Sequence, residues 1–178
     1  SIPSRVSDEP FNSFSDPFNY SAIGRAVDEF VVMLYNEFGW PGSPPGPPVT
    51  IGWMNRVLQY TMTKMPKNKI VAAVSVFGFD FNLTTGRNTY VTYQGAINLA
   101  QRYNSRIIFN EERQTPMFTY TDAQGNRHEV WFENARSLRA KIQLAWDLGI
   151  KGVALWRLGM EDPAIWTMLR DEVVVKKF

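Results

Sequence analysis

Apolar residues along this chain fall into two arrangements that alternate: unbroken runs, and stretches in which they recur at helical spacing. Phe30 to Tyr35, Lys69 to Phe81 and Leu148 to Gly159 are the unbroken runs. A strand that is apolar at successive positions is one buried on both faces, as in a parallel sheet. YSAIGRAVDE, Tyr20 to Glu29, predicts a short helix feeding directly into the first strand. Ile51 to Met65 places Ile51, Met54, Val57, Leu58 and Met62 on one helical face. Pro66 stops that helix, because its ring clashes with the preceding turn and it has no N–H to give. Glu133 to Asp147 aligns Ala135, Leu138, Ile142 and Ala145 and leads into the third strand. Asp162-Pro163 opens a last helix, with proline at a tolerated first-turn position.

The stretch between the second and third runs differs. YVTYQGAINLAQRY, Tyr90 to Tyr103, reads as helical, and Met117 to Phe132 reads as a hairpin turning at Asp122 to Asn126. A small α+β insertion therefore interrupts a regular alternation, and the chain divides into 1–80, 81–132 (the insertion) and 133–178. Pro41 to Pro48 is a loop within the first part, since element patterns resume on both sides. Alternating strands and helices define an α/β chain, either a doubly wound sheet or a (β/α)8 barrel. In both, function sits at the carboxyl ends of the strands.

Those ends carry Tyr35, Asn36 and Glu37, then Phe77, Phe79 and Asp80, then Trp156 and Arg157, with Trp40 on the loop after the first strand. Neither GxGxxG nor GxxxxGK[ST] occurs, so there is no phosphate cradle. Aromatic faces beside hydrogen-bonding groups suit a carbohydrate ring. The rest of the composition narrows the choice. There is no cysteine, which excludes disulfides, thiolate catalysis and cysteine zinc sites. A single histidine, His128, cannot build a histidine metal cluster and reads as a surface or packing residue on the hairpin. Net charge is +2 and scattered, which argues against nucleic acid. No apolar stretch reaches the ~18 residues of a membrane span, and SIPSRVSDEP lacks the regions of a signal peptide.

VVMLYNEFGWPGSPPGPP resembles the sixth-strand motif of the family 18 glycoside hydrolases, the chitinase-like enzymes, whose usual ending is Met-x-Tyr-Asp. KIVAAVSVFGFDF is similar to their seventh strand, and Arg113 to Gly159 to their insertion, seventh helix and eighth strand. The stretch from Tyr120 to Ser137, YTD-x-x-G-x-x-HEVWFE-x-AR-S, is most similar to the bacterial branch associated with spore cortex peptidoglycan. The resemblance implies the carboxyl-terminal half of a (β/α)8 barrel, from the end of strand five (Ser1 to Arg5) through strand eight, with the insertion between strand seven and its helix. The family's Asp-x-x-Asp-x-Asp-x-Glu run, which holds its general acid, occurs nowhere in the 178 residues.

The chemistry implied is substrate-assisted retaining hydrolysis of N-acetylglucosamine-containing glycan, peptidoglycan or chitin, an exception to the two-carboxylate scheme, with no cofactor and no metal. Tyr35 matches the tyrosine that binds the acetamido oxygen. Asn36 stands where the family has aspartate and cannot carry its charge. Trp156 matches the tryptophan floor of the sugar. Phe77 and Phe79 stand where tyrosines are common, which favours packing or stacking. Asp80 lines the cleft or caps the next turn, Glu37 and Trp40 reach an outer sugar, and Arg157 pairs with a carboxylate beside the floor or contacts a sugar hydroxyl. The resemblance also implies an extracellular or spore-associated enzyme, whose partner is a missing amino-terminal half-barrel or a second copy of the chain. By itself the chain is expected to be inactive. The alternatives are a non-catalytic glycan-binding module, favoured by Asn36, and a structural fragment.

Overall fold

The computed structural model describes residues 1–173. Its elements are, in order, β1 (Ile2–Pro3), α1 (Tyr20–Ala26), β2 (Phe30–Leu34), α2 (Ile51–Met62), β3 (Ile70–Ser75), β4 (Gly78–Asn82) and β5 (Arg87–Val91). They continue with α3 (Tyr93–Arg102), β6 (Ile108–Asn110), β7 (Thr115–Thr121), β8 (Arg127–Trp131), α4 (Ala135–Leu148), β9 (Gly152–Trp156) and α5 (Ala164–Glu172). β1, β2, β3 and β9 form a four-stranded sheet in that order, parallel throughout. The other five strands form an antiparallel sheet ordered β5-β4-β8-β7-β6.

The unbroken apolar runs serve two faces of the parallel sheet. Phe30, Val32 and Leu34 of β2, with Ile70, Ala72 and Val74 of β3, enter one core with Met54, Val57 and Leu58 of α2, Leu138 and Ala145 of α4, and Ile165 and Met168 of α5. The alternate residues point the other way. There the register sets Val31 beside Val71 and Gly152, and Met33 beside Ala73 and Ala154. Val31, Met33, Val71 and Ala154 are only half-buried, so this second face carries an apolar layer without full cover.

Several boundaries differ from the sequence pattern. α1 ends at Ala26 with Val27 already extended, so Asp28 and Glu29 lie in the connection rather than in the helix. α2 ends at Met62, with the N–H of Thr63 bonded back to Tyr60 and Thr61. A helix reaching Met65 would force the residue before Pro66 into a disfavoured conformation. The run Lys69 to Phe81 is two strands in two sheets. The Val76 N–H still bonds to the Trp156 carbonyl (2.9 Å), continuing the parallel ladder, and β4 then turns away at Gly78. A Cβ on Gly78 would lie 2.2 Å from the Trp131 carbonyl oxygen, so only glycine lets β4 pack so closely on β8. Tyr90 and Val91, read as helical, close β5, and the helix begins after Thr92, whose hydroxyl accepts from Gly95 N–H. β9 starts only at Gly152, because α4 runs on to a left-handed Gly149 (φ 67°).

Asp162 joins two helix starts. One carboxylate oxygen accepts from the Ala164 N–H of α5 and the other from the Ala135 N–H of α4. Pro163 thus stands at the cap position of α5. The hairpin predicted around Asp122 to Asn126 is present as β7 and β8.

Candidate functional site

The carboxyl ends of β2, β3 and β9 lie side by side, and register decides what meets there. Ser75 pairs with Trp156 across β3 and β9, while Leu34 pairs with Val74 across β2 and β3. Tyr35, one residue past β2, therefore falls in the same layer as Ser75 and Trp156. The Tyr35 ring stacks on Trp156, with centroids 5.9 Å apart and planes 15° from parallel. Trp156 remains 50% exposed, so one aromatic face is open at the strand ends. Burial pushes the Tyr35 hydroxyl above its ordinary pKa, which keeps it a proton donor at neutral pH. The Ser75 hydroxyl is fully buried in this layer and has no hydrogen-bond partner among the described residues.

Asn36 follows in the left-handed region at φ 60°, a conformation asparagine tolerates better than most residues. Its Nδ2 donates to the Tyr90 hydroxyl at 3.5 Å, a long bond. Glu37 turns back instead of outward. Its carboxylate accepts from the Thr50 N–H (2.6 Å) and the Thr50 hydroxyl (3.0 Å), and Thr50 in turn caps α2 by accepting from the Trp53 N–H. Burial raises the Glu37 pKa, while those bonds and the charges of Arg56 and Arg113 oppose the rise. The Glu37 N–H also bonds to the Pro48 carbonyl, closing the proline-rich loop at its base. Trp40, within that loop, is exposed.

Phe77 and Phe79 are buried with Phe81 and Trp131, in a cluster that packs on Tyr35 and Phe38. They support the strand ends from behind. Asp80 alternates to the opposite face of the antiparallel sheet, where it accepts from the Tyr120 hydroxyl (2.6 Å) and meets His128 Nδ1 at 2.8 Å. The structure thus does not bring Asp80 to the Tyr35–Trp156 layer. Arg157 is exposed and forms no ion pair with any described residue. The sequence pattern missed Tyr90, which β5 carries to Asn36. The only signal was the β-branched and aromatic Thr89-Tyr90-Val91, which a helical reading absorbed. Among the described residues no group of acidic and histidine side chains could hold a metal ion, and no helix is long and apolar enough to cross a membrane.

The chain belongs to the glycosyl hydrolases family 18, which it matches over residues 2–161. It is 42% identical over 164 residues to the cortical fragment-lytic enzyme of Bacillus subtilis (strain 168), covering 89% of this chain and 38% of that protein. The crystal structure of the Bacillus megaterium QM B1551 spore cortex-lytic enzyme SleL superposes with a TM-score of 0.89 at 32% identity, over 99% of this chain and 41% of that one. The crystal structure of a chitinase from Chromobacterium violaceum ATCC 12472 gives 0.88 at 28% identity, over 98% and 55%. The chain thus spans about two fifths of its Bacillus relatives. Its fold is α/β, matching part of a family 18 barrel together with an antiparallel-sheet insertion.

Proposed function

We propose that this chain is the carboxyl-terminal half of a (β/α)8 barrel, from the end of strand five through strand eight, in a retaining glycosidase that cleaves N-acetylglucosamine-containing glycan. The parts 1–80 and 133–178 are then half-barrel, and 81–132 is the body of the insertion between strand seven and its helix. The observation that carries this reading is the stacked Tyr35–Trp156 pair at the carboxyl ends of the strands, where barrel chemistry sits. Trp156 gives the sugar its floor. The Tyr35 hydroxyl donates to the acetamido oxygen of that sugar as the oxygen attacks the anomeric carbon, so its contribution grows toward the transition state. Asn36 offers a neutral amide beside it, with Phe77 and Phe79 behind. Trp40 faces an outer sugar and Arg157 a sugar hydroxyl, Glu37 holds the loop after β2 through Thr50, and Asp80 ties β4 to β7 and β8 away from the site.

The names of the Bacillus relatives support cortex peptidoglycan as the glycan and the spore as the place of action. No cofactor enters the scheme. The 178 residues lack the family's general-acid run, and general-acid help is worth about 10²–10⁴-fold, so the chain alone turns over no glycan. Asn36 in place of aspartate favours one second reading, a module that binds glycan without cleaving it.

The test is hydrolysis of cortical peptidoglycan fragments and of a fluorogenic chitobioside by the full-length protein. Release of reducing ends is expected. Tyr35→Phe should lower kcat by about tenfold or more with little change in KM, and Trp156→Ala should impair both. Binding without release supports the second reading; absence of both overturns the proposal.

A further inference from the structure

Trp156 and Tyr90 are the exposed ends of one chain of ring contacts. Trp156 stacks on Tyr35, Tyr35 meets Phe77 edge-on at 6.5 Å, and Phe77 meets Tyr90 edge-on at 5.1 Å. Tyr90 also leans on Phe79 at 4.9 Å. Phe77 and Phe79 are buried, yet Tyr90 is 60% exposed. It stands on β5, an edge strand of the insertion sheet, directly opposite Phe79 in register.

Two polar links tie this edge to the loop after β2. One is the Asn36 Nδ2 donation to the Tyr90 hydroxyl, and the other is the Asn88 Nδ2 donation to the Gly39 carbonyl at 3.2 Å. Gly39 lies at φ 97°, and a Cβ there would sit 2.4 Å from the Phe79 ring, so the loop backbone rests directly on the aromatic cluster. Tyr90 is therefore held from three sides, by Phe77, Phe79 and Asn36, while most of its surface stays exposed. A ring ordered in advance loses little rotamer freedom when it binds, and an amphipathic ring with an available hydroxyl suits a sugar, which is apolar on one face and hydroxylated at its edge.

We propose that Tyr90 is a specificity-determining residue that receives the sugar unit next to the one seated on Trp156, its ring against the sugar face and its hydroxyl shared with Asn36. Trp156 and Tyr90 are separate rings joined through Tyr35 and Phe77, and on this reading each seats its own sugar of the glycan. The consequence is a preference for oligosaccharide over monosaccharide that Tyr90 supplies. This inference rests on the glycan reading above.

Calorimetric binding of N-acetylglucosamine and of its β-1,4 tetramer to the full-length protein, at a temperature low enough to suppress cleavage, tests it. Tyr90→Thr removes the ring but keeps a residue suited to an edge strand. It should weaken the tetramer about tenfold, the equivalent of about 1.4 kcal/mol, and leave the monosaccharide within about twofold. Tyr90→Phe should hold tetramer affinity within about threefold while shifting the side-chain amide resonances of Asn36. Equal weakening of both ligands by Tyr90→Thr would indicate a structural role and overturn the proposal, as would no weakening of either. If the unmodified protein binds neither the tetramer nor cortical peptidoglycan fragments, the glycan reading itself has failed and the inference falls with it; if it binds the fragments alone, the same variants are compared on those fragments against the monosaccharide, with the same outcomes deciding.

Discussion

Lys141 and Glu133 are fully buried, with Lys141 Nζ 2.7 Å from a Glu133 carboxylate oxygen that also accepts from the Ser137 hydroxyl at 2.6 Å. Burial raises the Glu133 pKa, and the adjacent ammonium and hydroxyl oppose that rise. Removing one member of such a pair strands the other charge without water, whereas removing both charges is often nearly neutral. Lys141→Met should therefore destabilise the fold by about 3–5 kcal/mol, and Glu133→Gln with Lys141→Met should restore most of the loss. Urea denaturation of the two variants checks this, and a double variant as unstable as the single one would contradict it. The same principle separates the two kinds of polar residue in the chain. Tyr35 and Asn36 stand just past the end of β2, where the Asn36 Oδ1 is buried without a partner among the described residues, while Lys141 and Glu133 are paired with each other.

Among the elements, α2 shows how a loop carboxylate can hold a helix. Glu37 bonds to Thr50, and Thr50 bonds to Trp53, so the end of β2 and the start of α2 are joined across the proline-rich loop. The Glu37 pKa lies above its ordinary 4.5 in the folded chain because of burial. The folded chain then binds a proton at Glu37 more readily than the unfolded chain. The stability tied to that proton is fully present below the ordinary value and is lost as pH rises through the folded one. Glu37→Gln keeps an acceptor for the Thr50 N–H but cannot titrate. The stability of the unmodified protein relative to Glu37→Gln should therefore fall as pH rises from the ordinary 4.5 through the raised folded value. Denaturation midpoints across that range measure it, and a difference that grows with pH would rule out the assignment.

For the whole molecule, the parallel sheet ends at β1 on one side and β9 on the other. Its second face presents Val31, Met33, Val71 and Ala154 half-buried. A barrel leaves neither feature exposed, because closure pairs both edges and packs the inner layers against each other. An unpaired strand edge next to an apolar layer is a template for another chain. Expressed alone, the 178-residue polypeptide should associate into dimers or larger species, and a complementary half-barrel supplied with it should replace that self-association. Multi-angle light scattering decides the point; a soluble, well-folded monomer of the chain alone would refute it.

Local pattern and chain order account for much of this protein. β2, α2, α4 and the hairpin of β7 and β8 follow from periodicity and turn residues, because a residue's neighbours in sequence dictate both. The position of Tyr35 and Trp156 at strand ends followed as well. Other features were beyond such reading. Lys69 to Phe81 is apolar throughout, and nothing local records that Ile70–Ser75 joins one sheet and Gly78–Asn82 another. Glu37 looked outward from sequence and was turned inward by Thr50, thirteen residues on. Asp80 meets His128 across 48 residues, and Tyr90 meets Asn36 across 54. Periodicity reports which face of an element is apolar. Which sheet receives a strand, and which distant side chain answers a polar atom, depends on the energy of packing whole elements together, and those contacts exist only once the chain has folded.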